Sequence, residues 1–396
     1  METIGIDALA LAVPNGYLEL SDLAAARGVP AGKFVEGLGV RQMAIAAAHE
    51  DPVALAANAA RRLLAQSGRD PSEIGLCIVG TETAVDHSKP IAAYLHGLLG
   101  LPSRCRVYET KHACFGGTAG LLTAVDWIAA GPSLGAAPRV ALVVCTDVAR
   151  YELGSAGEPT QGAGAVAMIV SARPRLFELE LGASGSFSRD VHDFWRPLDR
   201  KEAVVDGHHS VACYLDALTG AFEAWRSVAG SEPLLRTCYH VPYGKMAKKA
   251  HRHRLGLDGI TEAEAARSFE REVAPSLILP SLVGNIYTGS LYLALASLLE
   301  AEAARLEGAR VGLFSYGSGC TAEFFSGRVA NGAGAIVDRW AIARSLAERT
   351  RLTFEEYEAI RRADPQVDRA PLGTLSVPTG AIAYLGIEQE RRVYSN

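Results

Sequence analysis

One cysteine, Cys114, stands in the stretch YETKHACFGGTAGLLTAVDWI between polar residues and a Gly-Gly-Thr-Ala-Gly run that passes into apolar sequence. The strand-like CRVYET before it and the helix-like sequence after it place the thiol at a helix N-terminus, where unpaired amides and the helix dipole favour thiolate over thiol. The same amides can hold the oxygen of a thioester or a tetrahedral intermediate, and the glycines let backbone approach a substrate closely. Against this, a free cysteine behaves as a small buried hydrophobe, and the segment alone does not choose between the two.

Three other stretches carry chemistry-bearing residues. In CYHVPYGKMAKKAHRHR, His240 ends a short strand beside Pro242, where an imidazole can take a proton from a thiol or, as a cation, polarise a carbonyl. The basic residues after it, Lys245, Lys248, Lys249, Arg252 and Arg254, form either a solvated helix face or a surface for phosphates or an acidic carrier protein. In GTETAVDHSKP, Glu82 follows the apolar strand LCIVG, beyond the carboxyl end of a strand, where a partly desolvated carboxylate has a raised pKa and serves as general acid or base. A helix cap or surface charge is its bland alternative, and Asp86 and His87 read equally as turn residues. Last come GNIYTGS and SYGSGCTAEF, in which Asn285 supplies an amide and the backbone around Gly317 and Ser318 can cradle an oxyanion.

The elements that must position these residues alternate strand and helix. Strands are predicted at 5–14, 74–80, 139–148, 164–172, 238–242, 311–316 and 321–328, and helices at 51–68, 211–227, 243–254 and 286–306. Asp51 is a candidate N-cap with Pro52 in the first helical position. The Gly-rich YELGSAGEPTQGAG is long enough to be functional rather than a simple turn. Residues 173–210 look less regular, and the tail from about 363 reads as irregular. VALVVCTD and RVGLFSYGSG look like equivalent strand-to-loop units, so the alternation predicts an α/β chain of two related halves, 1–172 and 173–396.

Composition narrows the classes of function. At 396 residues with 49% hydrophobic and 21% charged, the chain is large enough for two domains or one duplicated one. A net charge of −5 gives no electrostatic reason to expect nucleic acid or an anionic membrane as partner. METIGIDALALAVP lacks the pattern of a signal peptide and the apolar run LYLALASLL is too short to span a bilayer, so a cytoplasmic protein is expected. Seven cysteines without CxxC spacing argue against disulfides and zinc.

Together, ETKHACFGGTAG, YHVPYGKMAKKAH, GNIYTGS, SYGSGCTAEFFSG and HDFWRP resemble, in order, the sequence blocks of the 3-hydroxy-3-methylglutaryl-CoA synthase family of thiolase-like condensing enzymes, over about residues 3 to 330. The resemblance implies a layered α/β/α/β/α sandwich and a homodimer. It implies that Cys114 takes an acetyl group from acetyl-CoA, that Glu82 is the general acid and base, and that His240 orients acetoacetyl-CoA. Asn285 and the Gly317–Ser318 loop match its substrate-orienting and oxyanion positions, Asp147 and Asp193 match acidic residues near its site, and Lys245 and Lys249 match its coenzyme A side. No metal or redox cofactor is implied. Phe115 departs from the tyrosine that many relatives carry. Two alternatives stand beside this reading: a polyketide β-branching enzyme acting on acyl carrier proteins, and a catalytically silent partner of the same fold.

Overall fold

The computed structural model describes residues 3–131, 139–199, 202–363, 377 and 379–395. Nine strands make one sheet: β1 (Ile4–Ala12), β2 (Ile74–Gly80), β3 (Arg106–Thr110), β4 (Val140–Val148), β5 (Ala163–Ala172), β6 (Phe177–Ser188), β7 (Arg236–Tyr239), β8 (Arg310–Gly317) and β9 (Thr321–Val329). Their spatial order is β7-β8-β9-β6-β1-β5-β4-β2-β3. From the central β1–β6 pair outward, each side runs through two antiparallel ladders and then a parallel one, β1-β5-β4-β2 on one side and β6-β9-β8-β7 on the other. The halves join where Ile4–Ile6 pairs with Phe177–Leu179.

Helices cover the sheet in layers. Helix α1 (Pro52–Ser67) begins as its sequence dictates, with Asp51 Oδ1 accepting from Ala54 N at 2.8 Å and Pro52 at its start. Its alanine-rich face packs on Cys77, Val79, Leu142, Val144 and Ile169 of the first half-sheet. The alternate residues Ile78, Val143 and Met168 face the opposite way, onto α2 (Gly116–Ala129), which Thr118 ties to α5 (Ser290–Leu306) on the strands of the second half. Those two helices form the middle layer, and α3 (Gly207–Val228) covers β6 and β9 from outside. Among the described residues no helix is long and apolar enough to cross a membrane.

Two expectations need correction. The stretch at 173–210 holds the long strand β6, whose glycines and serines break the apolar alternation that would announce it. The tail is not all irregular: Tyr384–Glu388 and Arg391–Tyr394 form a hairpin, Tyr394 and Arg392 binding Asp51 at 2.7 and 3.0 Å. The rest of that tail, 364–376 and 378, lies outside the described residues.

Candidate active site

Close packing at the carboxyl ends of the strands builds the site. The first turn of α2 lies against strand ends: a Cβ on Gly117 would stand 2.4 Å from Cys145 Sγ and 2.7 Å from Thr288 O. Likewise a Cβ on Gly317 would come within 2.5 Å of His112 O and 2.7 Å of Phe115 N, so only glycine lets the end of β8 reach the cysteine loop. Thr118 ties α2 to both neighbours, with 2.8 Å bonds to Ser315 Oγ and Tyr292 Oη.

Cys114 lies just ahead of the first helical residue, Gly116. Its thiol donates to Glu82 Oε1 at 2.8 Å. Burial, followed by the charges of Glu82, Asp147 and Asp193, pushes the thiol well above its ordinary pKa. This overturns the expectation of a thiolate: burial first, and then the neighbouring carboxyl groups, outweigh a helix terminus worth about 0.5 of an elementary charge. Burial and the neighbouring Asp147 likewise push Glu82 up to about 8, opposed by the Cys114 hydrogen bond and the positive Arg196. Glu82, beyond the carboxyl end of β2, is thus a buried carboxyl that titrates near neutrality.

Asp147 lies beneath Glu82 rather than beside the thiol. Oδ1 accepts from Thr81 Oγ1, Glu82 N, Thr83 N and Thr83 Oγ1 at 2.8–3.1 Å, and Oδ2 from Thr288 N and Oγ1 at 3.1 and 2.5 Å. Burial pushes its pKa up, and these donors oppose that. One carboxylate thereby clamps the Glu82 loop to the Asn285–Thr288 loop. Asp193 does similar work on the far side, accepting from Tyr316 Oη at 2.7 Å and Gly319 N at 3.0 Å and so fixing the turn that holds Ser318.

His240 follows the last residue of β7. Its N–H donates to Phe314 O at 2.7 Å and its carbonyl accepts from Tyr214 Oη at 2.8 Å, while its ring has no hydrogen bond to a described residue. Burial pushes the imidazole down to about 3, which favours the neutral one of the two forms that the sequence left open. Asn285 precedes α5, which begins at Ser290 rather than 286. Its Oδ1 accepts from Tyr287 N at 2.9 Å and Ser290 Oγ at 2.8 Å, leaving Nδ2 without an acceptor among the described residues. Ser318 is half-buried in its turn.

The basic run separates into distinct kinds. On α4 (Gly244–Leu257), Arg254 is buried against Tyr239 Oη at 3.1 Å, Arg252 pairs with Glu262, and Lys248 lies 5.5 Å from the Phe269 ring centre. Lys245 is exposed and Lys249 half-buried, and neither makes an ion pair with a described residue. No hydrogen bond links either lysine to the Cys114–Glu82 pair.

Several residues escaped the sequence reading although they lie inside its motifs. Tyr151, Phe194 and Tyr287 form an edge-to-face box, with ring centres 5.9–6.4 Å apart, that packs against Cys114. Arg196 Nη2 donates to the Glu82 carbonyl. An aromatic in each of CTDVARY, HDFWRP and GNIYTGS was the available signal.

A thiol bonded to a buried carboxylate, at the end of a glycine-packed helix in a duplicated α/β sandwich, defines a thiolase-like condensing enzyme. Family models agree: hydroxymethylglutaryl-coenzyme A synthase N terminal matches residues 1–174, and its C terminal matches residues 257–369. The chain is 40% identical to the hydroxymethylglutaryl-CoA synthase of Enterococcus faecalis, over 96% of this chain and 97% of that protein. It is 34% identical to the polyketide biosynthesis 3-hydroxy-3-methylglutaryl-ACP synthase PksG of Bacillus subtilis, over 93% and 90%. A solved structure of MvaS in complex with 3-hydroxy-3-methylglutaryl coenzyme A superposes with a TM-score of 0.93 at 48% identity, covering 100% of this chain and 99% of that one. The curacin pathway HMG synthase with holo donor-ACP gives 0.92 at 33%, covering 99% of each. The chain belongs to the hydroxymethylglutaryl-CoA synthase family, and it is an enzyme that condenses acetyl-CoA with acetoacetyl-CoA.

Proposed function

We propose that Cys114, Glu82 and His240 carry this condensation, and the observation that bears most weight is the 2.8 Å bond from the Cys114 thiol to Glu82. Glu82 takes the thiol proton as Sγ attacks the acetyl carbonyl, and returns it to the departing coenzyme A sulfur, leaving acetyl-Cys114. No decarboxylation supplies a carbanion, so a base must take a proton from the acetyl methyl, and Glu82 is that base. The enolate carbon attacks the ketone of acetoacetyl-CoA. His240, neutral and without a hydrogen bond to a described residue, donates an N–H to the developing alkoxide, and Glu82 returns the proton to it. Water then cleaves the Cys114 thioester, which frees the Cys114 thiol and releases 3-hydroxy-3-methylglutaryl-CoA with the new carboxylate at its end. The unengaged Nδ2 of Asn285 orients the acyl oxygen, and the Gly317–Ser318 turn borders it. Asp147 and Asp193 hold the loops that carry these groups, and Lys245 and Lys249 meet coenzyme A phosphates. Every step uses side chains alone, without metal or redox cofactor.

The division of labour follows the halves 1–172 and 173–396. The proposed setting is the cytoplasm, in isoprenoid supply through mevalonate, with a homodimer as the assembly. Strand β3 ends the sheet with a ladder on one side, an edge that a second copy would cover. Carrier-bound substrates are the second reading, carried by the likeness to the HMG-ACP synthase PksG and to the curacin HMG synthase with donor-ACP, and on it Lys245 and Lys249 would face an acidic carrier instead of coenzyme A. Presence of Cys114, Glu82 and His240 together argues against a silent partner. Purified protein is to be incubated with acetyl-CoA and acetoacetyl-CoA, and in parallel with their carrier-bound forms, followed by intact mass and product analysis. Acetyl-Cys114 and 3-hydroxy-3-methylglutaryl-CoA are expected. Product on the carrier alone selects the polyketide reading, and no acetylation from any donor overturns the proposed chemistry.

A further inference from the structure

Behind the aromatic box lies a polar network with no part in the steps above. Glu158, buried in the loop between β4 and β5, accepts from Arg27 Nε at 2.9 Å and Nη2 at 2.7 Å, from Gly154 N at 2.9 Å and from Tyr357 Oη at 2.9 Å. Arg27 caps the short helix Leu20–Ala26, and Tyr357 belongs to the helix Phe354–Arg362, so segments from opposite ends of the chain meet on one carboxylate.

That same helix fixes the backbone of Tyr151. Tyr357 Oη accepts from Gln161 Nε2 at 2.9 Å, and Gln161 Oε1 accepts in turn from Tyr151 N at 2.9 Å. On the other side, Arg361 Nη2 donates to Tyr151 O at 2.6 Å. The loop spans two clusters: Leu153 packs with Leu18, Phe34 and Leu352, while Tyr151 packs with Tyr287 against Cys114. It reaches Asn285 as well, since Thr160 O accepts from Asn285 N at 3.1 Å and a Cβ on Gly284 would fall 2.0 Å from Gln161 O.

We infer that Tyr357 and Arg361 are positioning residues for the acyl pocket: by holding the Tyr151 backbone from both sides they fix the ring whose distance from Cys114 limits the size of the acyl group. Neither touches the reacting atoms. A ring whose N–H and C=O are both bonded cannot retreat from an incoming group without leaving a buried polar group unpaired. Cys114 packs against the cluster that Tyr151 forms with Ala149 and Tyr287, so a larger acyl group on its sulfur crowds that ring. Leu153 and Glu158 deny the loop an alternative seat, because one is embedded in an apolar cluster and the other is held by four hydrogen bonds.

The inference rests on Cys114 as the acyl-bearing thiol. Its test compares the full-length protein with Tyr357→Phe, which keeps the ring and removes the hydroxyl, and with Arg361→Gln, which changes a half-buried side chain. Acylation of Cys114 by acetyl-CoA and by propionyl-CoA is timed by intact mass, with steady-state condensation and thermal unfolding measured alongside. Loosening one hydrogen bond in the clamp should lower the acetyl-to-propionyl rate ratio about fivefold in each variant. The KM for acetoacetyl-CoA should stay within about twofold of wild type, because the change acts on the acyl pocket rather than on uniform binding. A merely structural role would lower the unfolding temperature and leave the ratio unchanged; an unchanged ratio in the folded variants overturns the inference. Should Tyr357→Phe fail to fold, Arg361→Gln decides alone by the same ratio. Wild-type protein that takes no acyl group from either donor would instead overturn the assignment of Cys114.

Discussion

The two halves of the sheet share a strand order but differ in charge at their carboxyl ends. In the first half, Glu82 follows β2 and Cys114 precedes α2, and both lie within reach of the field of buried Asp147. In the second, His240 follows β7 and Asn285 precedes α5, and neither side chain has a charged partner. Equivalent positions thus hold a hydrogen-bonded thiol and carboxyl on one side and neutral hydrogen-bonding groups on the other. The strand order occurs twice, and on the proposed mechanism the side chains at its ends divide covalent chemistry from oxygen recognition.

Several substitutions would break or sharpen that division. The largest effect is expected for Cys114→Ser, which should abolish the acetyl adduct and with it all condensation, read by intact mass and coenzyme A release. Glu82→Gln comes next: the adduct should still form slowly, because a thiol is far more acidic than an acetyl methyl, while condensation falls about 10³- to 10⁴-fold. Normal condensation by this variant would remove Glu82 from its role. His240→Gln should lower condensation about 10²- to 10³-fold, the cost of one lost oxyanion donor, with little change in adduct formation. Smallest is Phe115→Tyr, for the ring edge meets His112 at 6.1 Å and the backbone is already held by 3.0 Å bonds at the N–H and carbonyl. Its turnover should stay within about threefold of wild type, a change below 1 kcal/mol.

Acidity gives a different handle on the same contrast. With Glu82 raised to about 8, the free enzyme's kcat/KM for acetyl-CoA should rise with pH through about 8, and Glu82→Gln should lose that limb. The stability sign follows from linkage. A carboxyl raised above its unfolded value of 4.5 stabilises the native state fully at lower pH and loses that contribution as pH rises toward 8. The unfolding temperature of Glu82→Gln relative to wild type should therefore climb between those values. A parallel decline of both proteins would contradict the buried, elevated carboxyl.

Much of this arrangement was legible because its signals are local. Asp51 and Pro52 announce α1 in adjacent positions, and the glycines after Cys114 mark a close approach that any helix packed on a strand end requires. Other features depend on partners far along the chain. Asp147 acquires its clamp from Thr81, Thr83 and Thr288, and no spacing rule links those residues. The Cys114 pKa went the wrong way for the same reason: the helix N-terminus is visible in sequence, whereas the burial and then the carboxyl groups that oppose it arise only in the fold. Strand β6 was missed because its glycines and serines suppress the alternation, even though β1 and β9 pair with it on both sides.

Proton transfer in one half and oxygen recognition in the other is best tested by a chase on His240→Gln. The variant is loaded with acetyl-CoA, freed of excess donor, and mixed with acetoacetyl-CoA while the mass of the Cys114 peptide is followed in time. The acetyl adduct should form at close to the wild-type rate and then persist, since only the step that builds negative charge on the ketone oxygen has lost its donor. An adduct that fails to form, or one that acetoacetyl-CoA discharges into product at the wild-type rate, would contradict the account.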